Sequence, residues 1–317
     1  MRVLIVHRKT QPNGIASFVK EQAMTIKKVG CEIDFFPIER KGILGYVKSI
    51  LELKKHLASH HFDIIHGHFL WSILVCIFQR RVKKIGSFHG SDLNMKSLRI
   101  IAKIFVYPFL DECIVVNEKM ATVLGGKSVS IVPCGVDIEL FKPEKFIIDT
   151  DRGKLKTNAK NILFSSSFNI NVKNHRLAEK ALKLLSARMP VNLIELAGFS
   201  REEVCNLMNR VDLVLLTSLW EGSPQVIKEA MACNCPIVST DVGDVKWLFG
   251  DLEGHFITNQ DPKDCAHKIL CALDYGKRTN GRDRLIKLGL DSETIAKRIL
   301  AIYKRVINNS SKPKLTN

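Results

Sequence analysis

The stretch Glu221-Gly222-Ser223-Pro224-Gln225-Val226-Ile227-Lys228-Glu229-Ala230-Met231-Ala232 constrains the fold more than any other part of this chain. It lies between two apolar runs, 211–216 and 236–241, that read as strands. The spacing predicts a helix that begins at Ser223 as N-cap and Pro224 as first helical residue, because proline's missing N–H would be unpaired there in any case. Asn234 tolerates a left-handed cap and Pro236 blocks continuation, so the helix ends before them. The result is strand, loop, helix, strand: a βαβ unit with polar groups gathered where a strand ends. A helix N-terminus presents free N–H groups and partial positive charge, which suits a phosphate. Glu221 stands just before that terminus. Glu229 stands about a turn and a half inside, at ~3.6 residues per turn. Taken alone, this is also compatible with an ordinary crossover carrying two solvated glutamates.

The rest of the chain extends the same pattern. The segments 2–7, 31–36, 62–68, 85–92, 111–117 and 130–137 read as strands, 62–68 and 85–92 including the turn or loop that ends them, separated by helical segments, and 161–167 opens a second such series. This predicts an α/β protein. At 317 residues there is room for two domains. A loss of periodicity over 144–160 places the linker there, giving domains 1–158 and 159–317, with the last helix, near 295–306, packing back on the first. The segment 310–317 reads as a mobile tail. Apolar residues make up 46% of the chain, enough for real cores, yet no stretch approaches the ~18–20 needed to span a bilayer. The start has no signal-peptide pattern, and the nine cysteines form no framework, so reduced thiols and a cytoplasmic location are expected. His66 and His68 alternate at a strand end, a weak metal pattern; no metal site is expected, and Asp149 and Asp151 have D-x-D spacing but lie in the linker.

The net charge of +16 calls for an anionic partner. Nucleic acid is disfavoured, because no basic stretch is interleaved with aromatics. A dinucleotide dehydrogenase is disfavoured by the absence of G-x-G-x-x-G after the first strand. The segment 41–61 reads as a basic amphipathic helix, with Leu44, Val47, Ile50, Leu51, Leu53 and Leu57 apolar and Lys41, Lys48, Lys54 and Lys55 cationic. Such a helix is either a crossover with a solvated face or a surface that lies on an anionic membrane. The cluster 80–84 adds to it.

The pattern Glu221-Gly222 through Glu229-Ala230-Met231-Ala232 resembles the signature of family 4 retaining glycosyltransferases, which have the GT-B fold. The resemblance spans nearly the whole chain and is strongest over 161–254. It implies two Rossmann-like domains facing across a cleft that holds a nucleotide-diphosphate sugar. Carried over residue by residue, it assigns His89 of His89-Gly90-Ser91-Asp92 to the transferred sugar, with Asp92 a weaker companion. Gly14 falls in the phosphate-facing loop, behind Asn13. Lys173 falls on the pyrophosphate, and Gly222, Ser223, Pro224, Gln225 and Val226 on the donor. Glu229 would hold the ribose and Glu221 the sugar hydroxyls. Asn169 and Gly198 are weaker donor-side candidates. The chain departs from the family twice: an Arg usual shortly before the Lys is replaced by 168–171, and Cys134 stands for Asn in the Pro133-Cys134-Gly135-Val136-Asp137 element. The implied activity is transfer of a sugar from a UDP- or GDP-sugar to a glycan or lipid-linked acceptor with retention, without cofactor or metal. The charge, the basic helix of 41–55 and the cluster 80–84 favour a lipid-linked or lipopolysaccharide-type glycan, in polysaccharide biosynthesis, at the inner membrane face. A non-transferring scaffold, a phosphorylase and an epimerase share the fold and stay open as alternatives.

Overall fold

The computed structural model describes residues 1–9, 14–40, 42–126, 128–144 and 155–309. Asn13, Lys41, the linker residues 145–154 with Asp149 and Asp151, and the tail 310–317 lie outside the described residues.

In chain order the elements are β1 (Arg2–Arg8), α1 (Ser17–Lys28), β2 (Glu32–Ile38), α2 (Gly42–Ser59), β3 (Ile64–His68), α3 (Leu70–Ile77), β4 (Lys83–Phe88), α4 (Ser91–Asn94), α5 (Lys96–Ile100), β5 (Glu112–Val115), α6 (Glu118–Leu124) and β6 (Val129–Ile131). They continue with β7 (Lys160–Phe164), α7 (His175–Ser186), β8 (Val191–Glu195), α8 (Arg201–Arg210), β9 (Leu213–Leu216), α9 (Gln225–Ala232), β10 (Ile237–Thr240), α10 (Val245–Phe249), β11 (His255–Thr258), α11 (Pro262–Tyr275), α12 (Gly281–Lys287) and α13 (Ser292–Asn308). A π-helical turn, Ile101–Val106, and a short 3-10 turn, Tyr107–Phe109, follow α5.

Two compact units result. The first holds Met1–Gly135 together with α13, the second Val136–Asp291. Each contains one parallel sheet, in the order β2-β1-β3-β4-β5-β6 and β11-β10-β9-β7-β8 respectively. Each is a Rossmann-like α/β unit. Helices cover both faces of such a sheet, so its inner strands read as unbroken apolar runs. Val3, Leu4, Ile5 and Val6 in β1 and all of β9 are accordingly buried.

The boundary lies at Gly135/Val136 rather than at 158, because the residues after Gly135 pack with the second unit. The Val136 N–H donates to the Leu290 carbonyl at 3.0 Å, and Phe141 is fully buried beneath the Arg201 guanidinium, 4.6 Å from its ring centroid. The composition shift marks a loop already inside that unit. In the first unit α13 is anchored by buried Tyr303, whose hydroxyl meets His66 Nδ1 at 2.6 Å, and by Arg305, 3.0 Å from Glu112.

The apolar set of α2 divides. Leu53 is buried, with Ile50 and Leu57 packed against the same cluster. Leu44 and Val47 are 86% and 50% exposed, and Leu51 and Ile43 are also exposed. The inward positions nearer the helix start are Gly45 and Ser49; at Gly45 there is no room for a larger side chain, since a Cβ there would come within 2.8 Å of Arg40 Cβ. Among the described residues, no helix is long and apolar enough to cross a membrane.

Candidate active site

In an open parallel sheet, ligands collect at the strand C-termini where the strand order reverses. In the second unit that point lies between β7 and β9, since β7 pairs with both β8 and β9. The two loops leaving those strands are tied together. The Leu219 N–H donates to the Val172 carbonyl at 2.9 Å, and Thr217 Oγ1 donates to the Lys173 carbonyl at 2.8 Å. This places Lys173 against Glu221: Nζ lies 2.6 Å from Oε1, to which Ser218 Oγ also donates at 2.7 Å. Both side chains of the pair are largely shielded, at 20% and 16% exposed. An ammonium has three donors, so Lys173 can hold Glu221 and still offer hydrogens to a phosphate.

The loop then enters α9, but one residue later than the sequence predicts. Pro224 is the N-cap and Gln225 the first helical residue, with no side-chain cap. Ser223 is not the cap because its hydroxyl is turned inward, donating to Asp244 Oδ2 at 2.6 Å and accepting from Lys228 Nζ at 3.0 Å. The loop is packed from outside by Gly243, at φ +60°; a Cβ there would meet the Gly222 carbonyl oxygen at 2.4 Å, so only glycine fits. Asn234, at φ 55°, takes the left-handed conformation that ends the helix, as its position predicts.

Glu229, 3% exposed, is held by Arg201 Nη1 at 2.6 Å. Arg201 is the first residue of α8, inside the capping box formed by Ser200 and Glu203. Sequence reading missed the arginine's partner, because nothing local ties position 201 to a carboxylate on another helix. Gly198, at φ +75°, lies in the loop before that box with open space at its Cβ position. Asn169 is exposed and its backbone N–H meets Ser167 Oγ at 3.4 Å. The structure thus joins Lys173 to Glu221, and Glu229 to an unforeseen Arg201; it gives Asn169 and Gly198 no comparable partner.

In the first unit the switch point lies between β1 and β3. Gly14 follows β1 at φ +77°, and among the described residues no heavy atom lies within 4 Å of an added Cβ. β3 ends in His66-Gly67-His68 and β4 leads into His89. The His89 and His68 rings stack at 5.3 Å, and His89 Nε2 lies 3.0 Å from His68 Nδ1. Phe18 and Phe69 pack on His89 with centroids 4.9 and 4.7 Å away, and Phe69 is itself at φ 67°, a backbone conformation a phenylalanine adopts only under constraint. His89 Nδ1 lies 3.7 Å from Cys134 Sγ, so the two motifs 89–92 and 133–137 meet. Asp92 is an anchor: its carboxylate accepts from the Leu70 N–H at 3.0 Å and the His89 N–H at 3.1 Å, fixing the turn that presents His89.

Burial dominates the titration of this cluster. It lowers His66 from 6.5 to about 3 and His68 well below its ordinary value, with repulsion from neighbouring imidazoles adding to it. His66 is committed to Tyr303 and to Ser87 Oγ at 2.8 Å. Among the described residues no group of three or more His, Cys, Asp or Glu is placed to hold a metal ion.

Comparison with known proteins identifies the family. The family described as Glycosyltransferase Family 4 matches residues 12–140, and Glycosyl transferases group 1 matches residues 177–275. The chain belongs to glycosyltransferase family 4. The first match covers most of the first Rossmann-like unit of this glycosyltransferase and runs just past its boundary, and the second lies within the second unit. Among curated relatives it is 32% identical over 114 residues to an N,N'-diacetylbacillosaminyl-diphospho-undecaprenol α-1,3-N-acetylgalactosaminyltransferase of Campylobacter jejuni; that match covers 35% of this chain but 30% of the relative. It is 22% identical over 274 residues to a UDP-Gal:α-D-GlcNAc-diphosphoundecaprenol α-1,3-galactosyltransferase of Escherichia coli, covering 72% of this chain and 70% of that enzyme. Anabaena HepE in complex with UDP-glucose has the same fold, with a TM-score of 0.72 at 17% identity, covering 96% of this chain and all of HepE.

Proposed function

We propose that this glycosyltransferase moves a sugar from a UDP-sugar to a saccharide carried on a polyprenyl diphosphate, with retention of anomeric configuration. The observation that carries the proposal is the pair of shielded carboxylates, Glu221 and Glu229, each held by one cation at 2.6 Å. A carboxylate whose position is already fixed can accept hydrogen bonds from sugar hydroxyls without paying to order itself. Glu229 receives the ribose hydroxyls, and Arg201 keeps its carboxylate oriented. Glu221 receives hydroxyls of the transferred sugar, and Lys173, on the same carboxylate, faces the diphosphate. Breaking the sugar–phosphate bond leaves negative charge on the nucleotide. Positive groups aimed at that charge lower the barrier. Lys173 and the N–H groups of Gln225 and Val226 at the start of α9 supply it. His89 stands in the first unit for the acceptor side or the sugar itself.

UDP is preferred over GDP because the E. coli relative is named for UDP-Gal and HepE is seen with UDP-glucose. The lipid diphosphate acceptor rests on the names of both curated relatives, which also state an α-1,3 linkage. An α product follows from retention if the donor's sugar–phosphate bond is itself α. A membrane-borne acceptor fits the first unit's surface: Ile43, Leu44 and Val47 project beside Lys48 on α2, and Ile104 and Phe105 project beside Lys103 on the π-helical turn. Exposed apolar side chains beside cations suit the boundary of an anionic bilayer.

The test is calorimetric binding of UDP to the wild type and to Glu229→Ala. Hydrogen bonds to a charged group are each worth ~1.5–3 kcal/mol, so losing the ribose contacts weakens UDP binding by about 100-fold. Equal affinity in the two proteins contradicts the assignment.

A further inference from the structure

Helix α9 carries a cation where helix electrostatics disfavour one. Lys228 is the fourth residue of Gln225–Ala232 and is fully buried. Side chains on a helix lean toward its N-terminus. The Lys228 ammonium accordingly reaches back past the first turn to Ser223 Oγ at 3.0 Å. Ser223 Oγ passes its own hydrogen to Asp244 Oδ2 at 2.6 Å. Asp244 is 8% exposed; burial pushes its carboxyl up, while Lys228 and Ser223 pull it back down. Ammonium, hydroxyl and carboxylate thus form a buried chain behind the loop 221–225.

Folding stability does not account for this arrangement. Burying an ion costs several kcal/mol, and a well-packed apolar pair in the same volume is often at least as stable. A helix N-terminus already carries about +0.5 charge, so an ammonium at the first turn is repelled by it. Asp244 offsets part of this repulsion, and an anion in front of the turn would offset more of it. The chain also lacks the arginine that the segment 168–171 replaces, leaving room for another source of positive potential.

We infer that Lys228 is a positioning residue for the donor's diphosphate: from behind the loop it fixes Ser223 and adds positive potential to the start of α9, while Asp244 sets how much of that charge the phosphates feel. The inference rests on the donor reading proposed above and names the residue that offsets the missing arginine. Lys228 does not touch the donor; it acts through Ser223 and through the field at the helix terminus. Its effect therefore depends on the ligand's charge, which a purely structural staple would not show.

The experiment compares binding of UDP and of uridine, by calorimetry, to the wild type, Lys228→Met, Asp244→Asn and the double variant Lys228→Met/Asp244→Asn. The expected result is UDP binding ~10-fold weaker in Lys228→Met, a few-fold weaker in the double variant, where loss of the offsetting carboxylate returns part of the potential, and a few-fold tighter in Asp244→Asn, where the ammonium is no longer offset. Uridine affinity stays within about twofold throughout, since it carries no phosphate. If Lys228→Met fails to fold, the double variant, which removes both buried charges together, carries the test. Weakening of UDP and uridine alike, or the same direction of change in Lys228→Met and Asp244→Asn, overturns the inference and leaves Lys228 a staple of the loop. A wild type that binds neither UDP nor GDP overturns the donor reading itself, and this inference with it.

Discussion

At the scale of single residues, the buried histidines give the protein a pH dependence whose sign is fixed by their surroundings. Burial lowers His66 from 6.5 to about 3 and His255 from 6.5 to about 4, and holds His68 well below its ordinary value. The unfolded chain takes up a proton at each of these near pH ~6.5, whereas the folded protein does not. Stability is therefore complete above that pH and is lost as pH falls from ~6.5 toward the folded-state values, by up to about 2 kcal/mol per histidine between pH 7 and pH 5. Urea unfolding at the two pH values checks this: the midpoint should drop at pH 5, and a rise there contradicts the buried, neutral state of the cluster. The sequence made part of this chemistry legible. The places of Glu221 before α9 and Glu229 within it were readable because their spacing to glycine, proline and strand ends is local, whereas Lys173 and His89 were singled out only by the resemblance to family 4. Arg201, His68 and Asp244 were not. Each gains its role from a partner on another element, at 2.6 Å from Glu229, 3.0 Å from His89 and 2.6 Å from Ser223, and such proximity is set by tertiary packing alone.

At the scale of elements, the βαβ unit from β9 to β10 was predicted from its apolar runs and breakers, and only its N-cap moved, from Ser223 to Pro224. The shift has a physical reason: a serine whose hydroxyl bridges a buried lysine and an aspartate cannot also satisfy the first turn. Helix α2 was legible as basic and amphipathic, but periodicity could not tell which apolar residues face the sheet, since the stripe is wider than the face that packs. The residues left outside make a prediction about this element. Vesicles containing anionic lipid should bind the protein, less so as salt rises. Replacing Ile43 and Leu44, 83% and 86% exposed, by Ser should weaken that binding by about tenfold with little change in unfolding midpoint. Equal binding to neutral vesicles, or an unaffected double variant, counts against a membrane face on α2.

At the scale of the whole molecule, the chain divides its chemistry between two parallel sheets, each with polar side chains at its own switch point. Fold class and the presence of two such units were legible because parallel βα repeats leave long buried runs between glycine-rich turns. The boundary was less so, because a change in composition marks exposure rather than unit membership, and residues 136–144 pack with the second unit. The net charge of +16 fits a diphosphate donor, a diphosphate-linked acceptor and an anionic surface alike, so charge alone could not rank them. The most direct test of the proposed transfer is product formation from a UDP-sugar panel and a short-chain polyprenyl diphosphate-linked saccharide, with UDP release and the product's anomeric configuration both followed. UDP should be released in step with an elongated, α-linked lipid saccharide, and both should be lost in Glu229→Ala. Free sugar phosphate, an epimerised nucleotide sugar, or no turnover of any UDP- or GDP-sugar would contradict the transfer.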